Sequence, residues 1–227
     1  MEQRSIALDG PSAAGKSTLA RKAAARFGLI YVDTGALYRC IGLHVLRKGV
    51  GSKDEAAVSK LLHEIEIDMH YDRDGIQRMK LCGEDVTDEI RAPDVSRYAS
   101  DVSAMPPVRA FLLEKQRDIA KKHDVIMDGR DIGTVVLPDA GLKVFITANN
   151  DARAKRRFLE LQAKNIETTL DEVSHDMIVR DRNDSQRAAA PLKSADDAVM
   201  LDTTDMDLDE SFEALCALIS KKTERVS

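Results

Sequence analysis

Near its start the chain alternates short apolar runs with stretches whose apolar positions recur every three or four residues. Ser5 to Leu8 is an apolar run stopped by Asp9-Gly10-Pro11, and the TLARKAAARFG beyond it is rich in helix formers and closed by Gly28. This reads as strand, loop, helix. Leu29 to Val32 gives a second buried strand, and Thr34 to Lys48, ending at Gly49, is helical by its apolar spacing. A βαβα beginning predicts a parallel sheet. Ser52-Lys-Asp-Glu55 has capping-box spacing ahead of AAVSKLLHEI, which places another helix start there.

The pattern then changes period. Ile65 to Tyr71 and Ile76 to Leu81 flank Asp74-Gly75, a hairpin signal. An antiparallel hairpin does not belong inside a parallel doubly wound sheet, so residues 64–91 are expected to form a small insert. Pro106-Pro107 opens a helix, VRAFLLEKQRDIAKK, that leads into the apolar strand Val125 to Met127 ending at Asp128. Leu142 to Thr147 is a further strand. Two charged helical stretches follow, the second introduced by Thr169-Leu-Asp-Glu172 with capping-box spacing, and residues 151–193 are expected to form a solvated or mobile lid. Val199 to Leu201 is the last strand and Glu210 to Lys221 the closing helix. The expected fold is α/β: one domain over residues 1–227, three αβα layers around a parallel central sheet, with the insert and the helical lid.

Composition narrows the partners. A chain of 227 residues with 43% hydrophobic and 32% charged residues is ordinary for a soluble globular domain. The formal charge of −5 and only 4% aromatic residues argue against holding long nucleic acid. MEQRSIALDG lacks a signal peptide's apolar region, and no later apolar run is long enough to span a bilayer, so a cytoplasmic location is expected. No heptad seam is visible, which makes a monomer the expected state. Cys40, Cys82 and Cys216 are scattered and read as reduced thiols packed as small hydrophobes, and the five histidines show no metal-ligand spacing.

Gly10-Pro11-Ser12-Ala13-Ala14-Gly15-Lys16-Ser17 fits GxxxxGK[ST] and lies between a predicted strand and a predicted helix, the context that the motif needs. A triphosphate carries several negative charges that must be met by donors other than water. Backbone N–H groups of a tight loop and the positive end of a helix supply them. Gly15 lets the backbone come close, Lys16 reaches the β and γ phosphates, the Ser17 hydroxyl completes Mg²⁺ coordination, and Thr18 adds a phosphate contact. No GxGxxG with a downstream acid and no protein-kinase motif set is present, so the alternatives narrow to P-loop kinases and NTPases.

Downstream, Asp33-Thr34-Gly35-Ala-Leu-Tyr38-Arg39 follows the second strand at the carboxyl edge where α/β sheets place ligands. Arg39 can make a forked contact with an acceptor phosphate, whereas Asp33 or Thr34 could merely cap the helix. Arg130 and Asp131 stand at the next strand end, either as a polar-ligand pair or as a salt bridge tying the loop. Asp128 has the form of an acid that holds Mg²⁺ through water. Arg180 and Arg187 are candidate lid arginines, because transfer between two anionic phosphates needs cations and exclusion of water. A phosphate acceptor is already anionic at neutral pH, so no general base is required.

GPSAAGKST, DTGALYR, LCGEDVTDEIR, GRDIGTVVLPDA and RDRNDSQRAAAPL, in this order and nearly end to end, closely resemble the bacterial cytidylate kinases. The resemblance implies ATP as phosphoryl donor with Mg²⁺, CMP or dCMP as acceptor, and a nucleoside monophosphate kinase fold with insert and lid. It places Thr34, Ser100, Arg109 and Asp131 around the cytosine and Arg39, Arg130 and Arg180 on the CMP phosphate. Asp184 with Arg180 falls on the ribose hydroxyls, Arg157 near the adenine, and Arg187 between the two nucleotides. Taken without the family, Ser100 and Arg109 are ordinary helix residues. Rival readings are a small P-loop kinase for UMP, dTMP or a non-nucleotide acceptor, and a regulatory ATPase that hydrolyses without transfer. Two positions depart from the family's usual pattern: Ala13, where Gly is common, and Thr34, where Ser is also common. If residue 13 needs positive φ, the alanine carries about 1 kcal/mol of strain.

Overall fold

In a computed structural model, which describes residues 4–73 and 75–224, the alternation of apolar runs and helical stretches becomes eight strands and eight α-helices among the described residues. In chain order they are β1 (Ser5–Asp9), α1 (Lys16–Phe27), β2 (Ile30–Asp33), α2 (Thr34–Arg47), α3 (Glu55–Leu61), β3 (Ile67–Tyr71), β4 (Gln77–Leu81), β5 (Glu84–Asp85), α4 (Pro93–Val102) and α5 (Pro106–Lys122). There follow β6 (Val125–Asp128), β7 (Leu142–Thr147), α6 (Asn150–Ala163), α7 (Leu170–Gln186), β8 (Val199–Asp202) and α8 (Leu208–Glu224). The chain divides into two compact units, Met1–Tyr31 with Lys122–Ser227, and Val32–Lys121.

The first unit is built on the central sheet, ordered β2-β6-β1-β7-β8. The pairings of β1 with β6 and β7, and of β7 with β8, are all parallel, with Leu8 opposite Asp128 on one side and Val144 on the other. A parallel strand covered on both faces reads as a continuous apolar run, which is why Ser5 to Leu8 and Val125 to Met127 are legible as strands. Leu8, Leu19, Ile126, Ile146 and Leu215 are fully buried here, each worth about 1.5–3 kcal/mol of apolar burial. Helices flank the sheet, and α1 ends on Gly28 at φ 64.

The second unit carries the three-stranded antiparallel sheet β3-β4-β5. β3 pairs with β4 from Ile67↔Leu81 to Tyr71↔Gln77, so the hairpin signal is realised as a hairpin; Asp74 itself lies outside the described residues, while Gly75 stands at φ 72 and donates to the Asp72 carbonyl. Its core joins Ile41 and Leu43 of α2 to Met79 and Leu81 of β4 and to Ile90 and Leu112.

Three local expectations change. Asp54, not Ser52, caps α3: its carboxylate accepts the Ala57 N–H at 3.0 Å, while the Ser52 hydroxyl donates to Asp101 at 2.6 Å. The capping-box spacing was satisfied by chance: α3 starts at Glu55, so the residue at its cap position is Asp54, and Ser52 is left to bond Asp101 instead. Cys40 and Cys216 are buried as expected, but Cys82 is exposed, in a tight turn at φ 49. Ser100 does lie in a helix, but the sequence pattern put no bounds on that helix; it runs Pro93–Val102, and Pro93 at its first position and the buried Val95, Ala99 and Val102 account for it. Thr169 and Glu172 do form a reciprocal capping box at the start of α7.

Candidate functional site

The loop from Gly10 to Gly15 joins β1 to α1. Gly10 is obligatory: a Cβ there would sit 2.0 Å from the Ile146 carbonyl oxygen. Gly15, the residue before the helix, stands at φ 84, and a Cβ on it would meet nothing within 4 Å; its backbone conformation, not internal crowding, calls for glycine. Ala13 adopts φ 56, so it does carry the left-handed strain foreseen from the sequence, about 1 kcal/mol. α1 begins with neither a side-chain cap nor an acidic residue in its first turn, which leaves its positive end for a ligand.

The charges around this loop are crowded. Lys16 is 5% exposed, and its ammonium donates to the Pro11 carbonyl at 2.7 Å, folding back on its own loop. Burial first, and then the Arg130 guanidinium, push its pKa down to about 7. Arg180, on α7, is likewise pushed down to about 10 by burial and by Arg130. Its Nε is buried without a hydrogen-bond partner. Arg130 donates from Nε to Asp184 at 2.8 Å, and although burial opposes the charge of Asp184, Arg130 and Arg180 hold its pKa below the usual carboxylate range. Asp131 accepts from Arg187 at 3.2 Å, with both side chains buried, and Arg187 also donates to the Ala190 carbonyl at 2.7 Å. The adjacent Arg130 and Asp131 thus find ion pairs on α7 and just past its end.

Ser17 donates to Asp128 at 2.6 Å, and the Tyr31 hydroxyl donates to the other oxygen of Asp128 at 3.1 Å. Hydroxyl and carboxylate are hard oxygen donors that suit Mg²⁺. Among the described residues no group of three or more His, Cys, Asp or Glu that could hold a metal ion is present. Arg157, on the exposed face of α6, pairs with Glu160 at 2.8 Å.

In the second unit, Thr34 is buried as the first residue of α2, directly after Asp33, whose carboxylate caps the helix by accepting the Ala36 N–H at 3.0 Å. Arg39 donates to the Ile90 carbonyl at 3.3 Å and to the Ser96 hydroxyl. Arg109 donates to the Ser103 carbonyl at 3.2 Å and lies over the Tyr38 ring at 5.7 Å, which ties it to α2 one residue before Arg39. Ser100, half-buried on α4, accepts from the Ser103 hydroxyl through its carbonyl at 2.8 Å, and α4 packs on α2. Of the eight residues expected around the acceptor, Thr34, Arg39, Ser100 and Arg109 lie on α2, α4 and α5 of this unit, while Arg130, Asp131, Arg180 and Asp184 belong to the other.

Several contacts escaped the sequence reading. Asp9 accepts the Ile132 and Gly133 N–H groups, both at 2.7 Å, and holds the π-helical turn Ile132–Val136 that follows Asp131. Burial raises its pKa to about 6 against the pull of those two bonds. Asp181 accepts from the N–H and hydroxyl of Ser12, at 3.2 and 2.9 Å, while the buried Arg153 donates to the Ser12 carbonyl at 3.0 Å and to Asp181. Ala13 also packs against Ala154, Val173 and Met177, so α6 and α7 grip the phosphate loop itself. The one signal for these residues was a charged group beside a named motif, Asp9 ahead of Gly10 and Asp181 after Arg180.

Comparison with known proteins bears on the family and on the fold. The family model described as cytidylate kinase matches residues 6–221. A cytidylate kinase from Lactobacillus johnsonii is 47% identical over 96% of this chain and 94% of its own length, and one from Caldicellulosiruptor bescii is 44% identical over 97% of both. Among solved structures, a gluconokinase from Sinorhizobium meliloti 1021 shares the fold, with a TM-score of 0.52 at 13% identity over 99% of this chain and 96% of that one.

Proposed function

Since the chain belongs to the cytidylate kinase family, we propose that it transfers the terminal phosphoryl group of ATP to CMP or dCMP, forming ADP and CDP or dCDP. The observation that carries this reading is the cationic crowd of Lys16, Arg130 and Arg180. Burial and repulsion between like charges outweigh the nearby Asp9, Asp128, Asp181 and Asp184 at Lys16 and Arg180, so a further anion is favoured there, and the unpartnered Nε of Arg180 is a donor kept for such a group. Two phosphate-bearing nucleotides supply that charge.

In this reading Gly10 to Thr18 wraps the ATP phosphates, with Lys16 leaving the Pro11 carbonyl for the β and γ oxygens. Arg39, Arg130 and Arg180 hold the CMP phosphate. Thr34, Ser100, Arg109 and Asp131 surround the cytosine, Asp184 with Arg180 takes the ribose hydroxyls, and Arg157 lies near the adenine. Ser17, whose hydroxyl meets Asp128 at 2.6 Å, would hold Mg²⁺ with the help of that carboxylate, and the ion would supply positive charge to offset that of the ATP phosphates. The CMP oxygen attacks as the anion it already is, so catalysis rests on alignment and on cations that meet charge in the transition state. Lys16, Arg180 and Arg187 supply those cations. Among the described residues no helix is long and apolar enough to cross a membrane, and we place the enzyme in the cytoplasm as a monomer that acts on small molecules.

A coupled assay with ATP and Mg²⁺ tests the assignment across CMP, dCMP, UMP, AMP and dTMP. CMP and dCMP should turn over well above the rest. Equal or faster turnover of UMP would reassign the acceptor, and phosphate release with no phosphorylated product would mean a hydrolase.

A further inference from the structure

The small antiparallel sheet reaches the acceptor-side residues through one buried amide. Gln77, the first residue of β4, is 8% exposed. Its side-chain oxygen accepts the Asp33 N–H at 2.8 Å, and its side-chain nitrogen donates back to the Asp33 carbonyl at 3.4 Å. The amide thus adds a rung to the end of β2 that no strand provides. The side-chain nitrogen also contacts the Met79 sulfur at 3.1 Å, which fixes its orientation. Asp33 is held by its carboxylate as well: one oxygen caps α2 at Ala36, and the other receives Arg91 at 2.7 Å. Arg91 belongs to the short turn Glu89–Arg91, and the carbonyl of Ile90 in that same turn accepts from Arg39.

We infer that Gln77 and Arg91 are positioning residues for the acceptor: they fix Asp33 from both sides, and so set Thr34 beside it and Arg39 one turn on. The inference rests on reading Thr34 and Arg39 as CMP contacts. Neither Gln77 nor Arg91 touches the nucleotide in this scheme; they act through backbone and cap. Loss of the amide leaves a buried Asp33 N–H unpaired, which disturbs the residue from which both contacts are hung.

The test is steady-state kinetics on Gln77→Ala and Arg91→Met with either substrate varied, and CMP binding by calorimetry. Expected are a rise in KM and Kd for CMP of about tenfold, KM for ATP within twofold, and a smaller preference for CMP over UMP. Gln77→Glu keeps an acceptor for the Asp33 N–H but not the donor; it should fall between wild type and Gln77→Ala, and it serves if the alanine variant does not fold. Unchanged CMP affinity in folded variants, or equal rises for ATP and CMP, would overturn the positioning role. Failure of the wild-type chain to phosphorylate CMP would instead overturn the reading beneath it.

Discussion

In the unit that holds the phosphate loop, Lys16 and Arg180 are both pushed below their ordinary pKa values by burial and by Arg130. In the unit spanning Val32–Lys121 several arginines are matched by carboxylates: Arg47 forks onto Glu84 and Glu89, which raises its pKa, and Arg91 meets Asp33 at 2.7 Å. A matched arginine ties elements together. Cations whose burial and mutual repulsion outweigh the carboxylates beside them mark where a ligand's negative charge would be stabilised.

The sharpest way to break that contrast is to delete one arginine of each kind. Arg180→Ala should lower kcat/KM for CMP about 10³-fold, the scale of an arginine that meets transition-state charge. Arg47→Ala should leave turnover within about twofold and cost under about 1 kcal/mol, since its partners are surface carboxylates. Steady-state rates and urea unfolding of both variants check this. A comparable loss of activity in Arg47→Ala would erase the distinction.

A subtler probe is Asp9, the buried carboxylate at the end of β1. Its pKa is about 6 in the folded chain against 3.8 for the free side chain, so the folded state keeps the proton longer. The contribution of Asp9 to stability therefore falls as pH rises from about 4 through 6, by on the order of 3 kcal/mol, and is flat above. Unfolding free energies of the wild type and Asp9→Asn should change relative to each other across that window, the wild type losing stability against the variant as pH rises. Parallel curves would mean that Asp9 titrates normally.

The smallest effect concerns Ala13, at φ 56. Ala13→Gly relieves left-handed strain of about 1–2 kcal/mol but gives back about 0.5–1 through the freer unfolded chain, so a net gain near 0.5 kcal/mol is expected. Differential scanning calorimetry should show a melting point about 1–2 °C higher. A lower melting point would show that the lost methyl contacts with Ala154, Val173 and Met177 outweigh the strain.

How far the sequence could be read depended on the span of each interaction. The Thr169 capping box is made by residues three apart and was visible as a motif, whereas the phosphate-loop motif placed Lys16 at the start of α1 without marking its contact with the Pro11 carbonyl five residues back. Even at that short range Asp54 displaced Ser52, because α3 starts at Glu55 and spacing alone does not fix where a helix begins. The contact of Gln77 with Asp33 spans 44 residues and that of Asp181 with Ser12 spans 169; neither glutamine nor aspartate carries a local mark of such a partner.

By itself the sequence determined the phosphate loop, the parallel sheet that launches it, the hairpin and the charged helices, since each is a matter of period, turn residues or consecutive donors. Only the tertiary structure decided which carboxylate meets which guanidinium: Arg130 with Asp184, Asp131 with Arg187, Asp33 with Arg91. The chain has 34 Lys and Arg and 39 Asp and Glu, so charge alone permits a very large number of pairings. The fold selects among them by bringing a few within reach and by burying some cations where no side chain completes them.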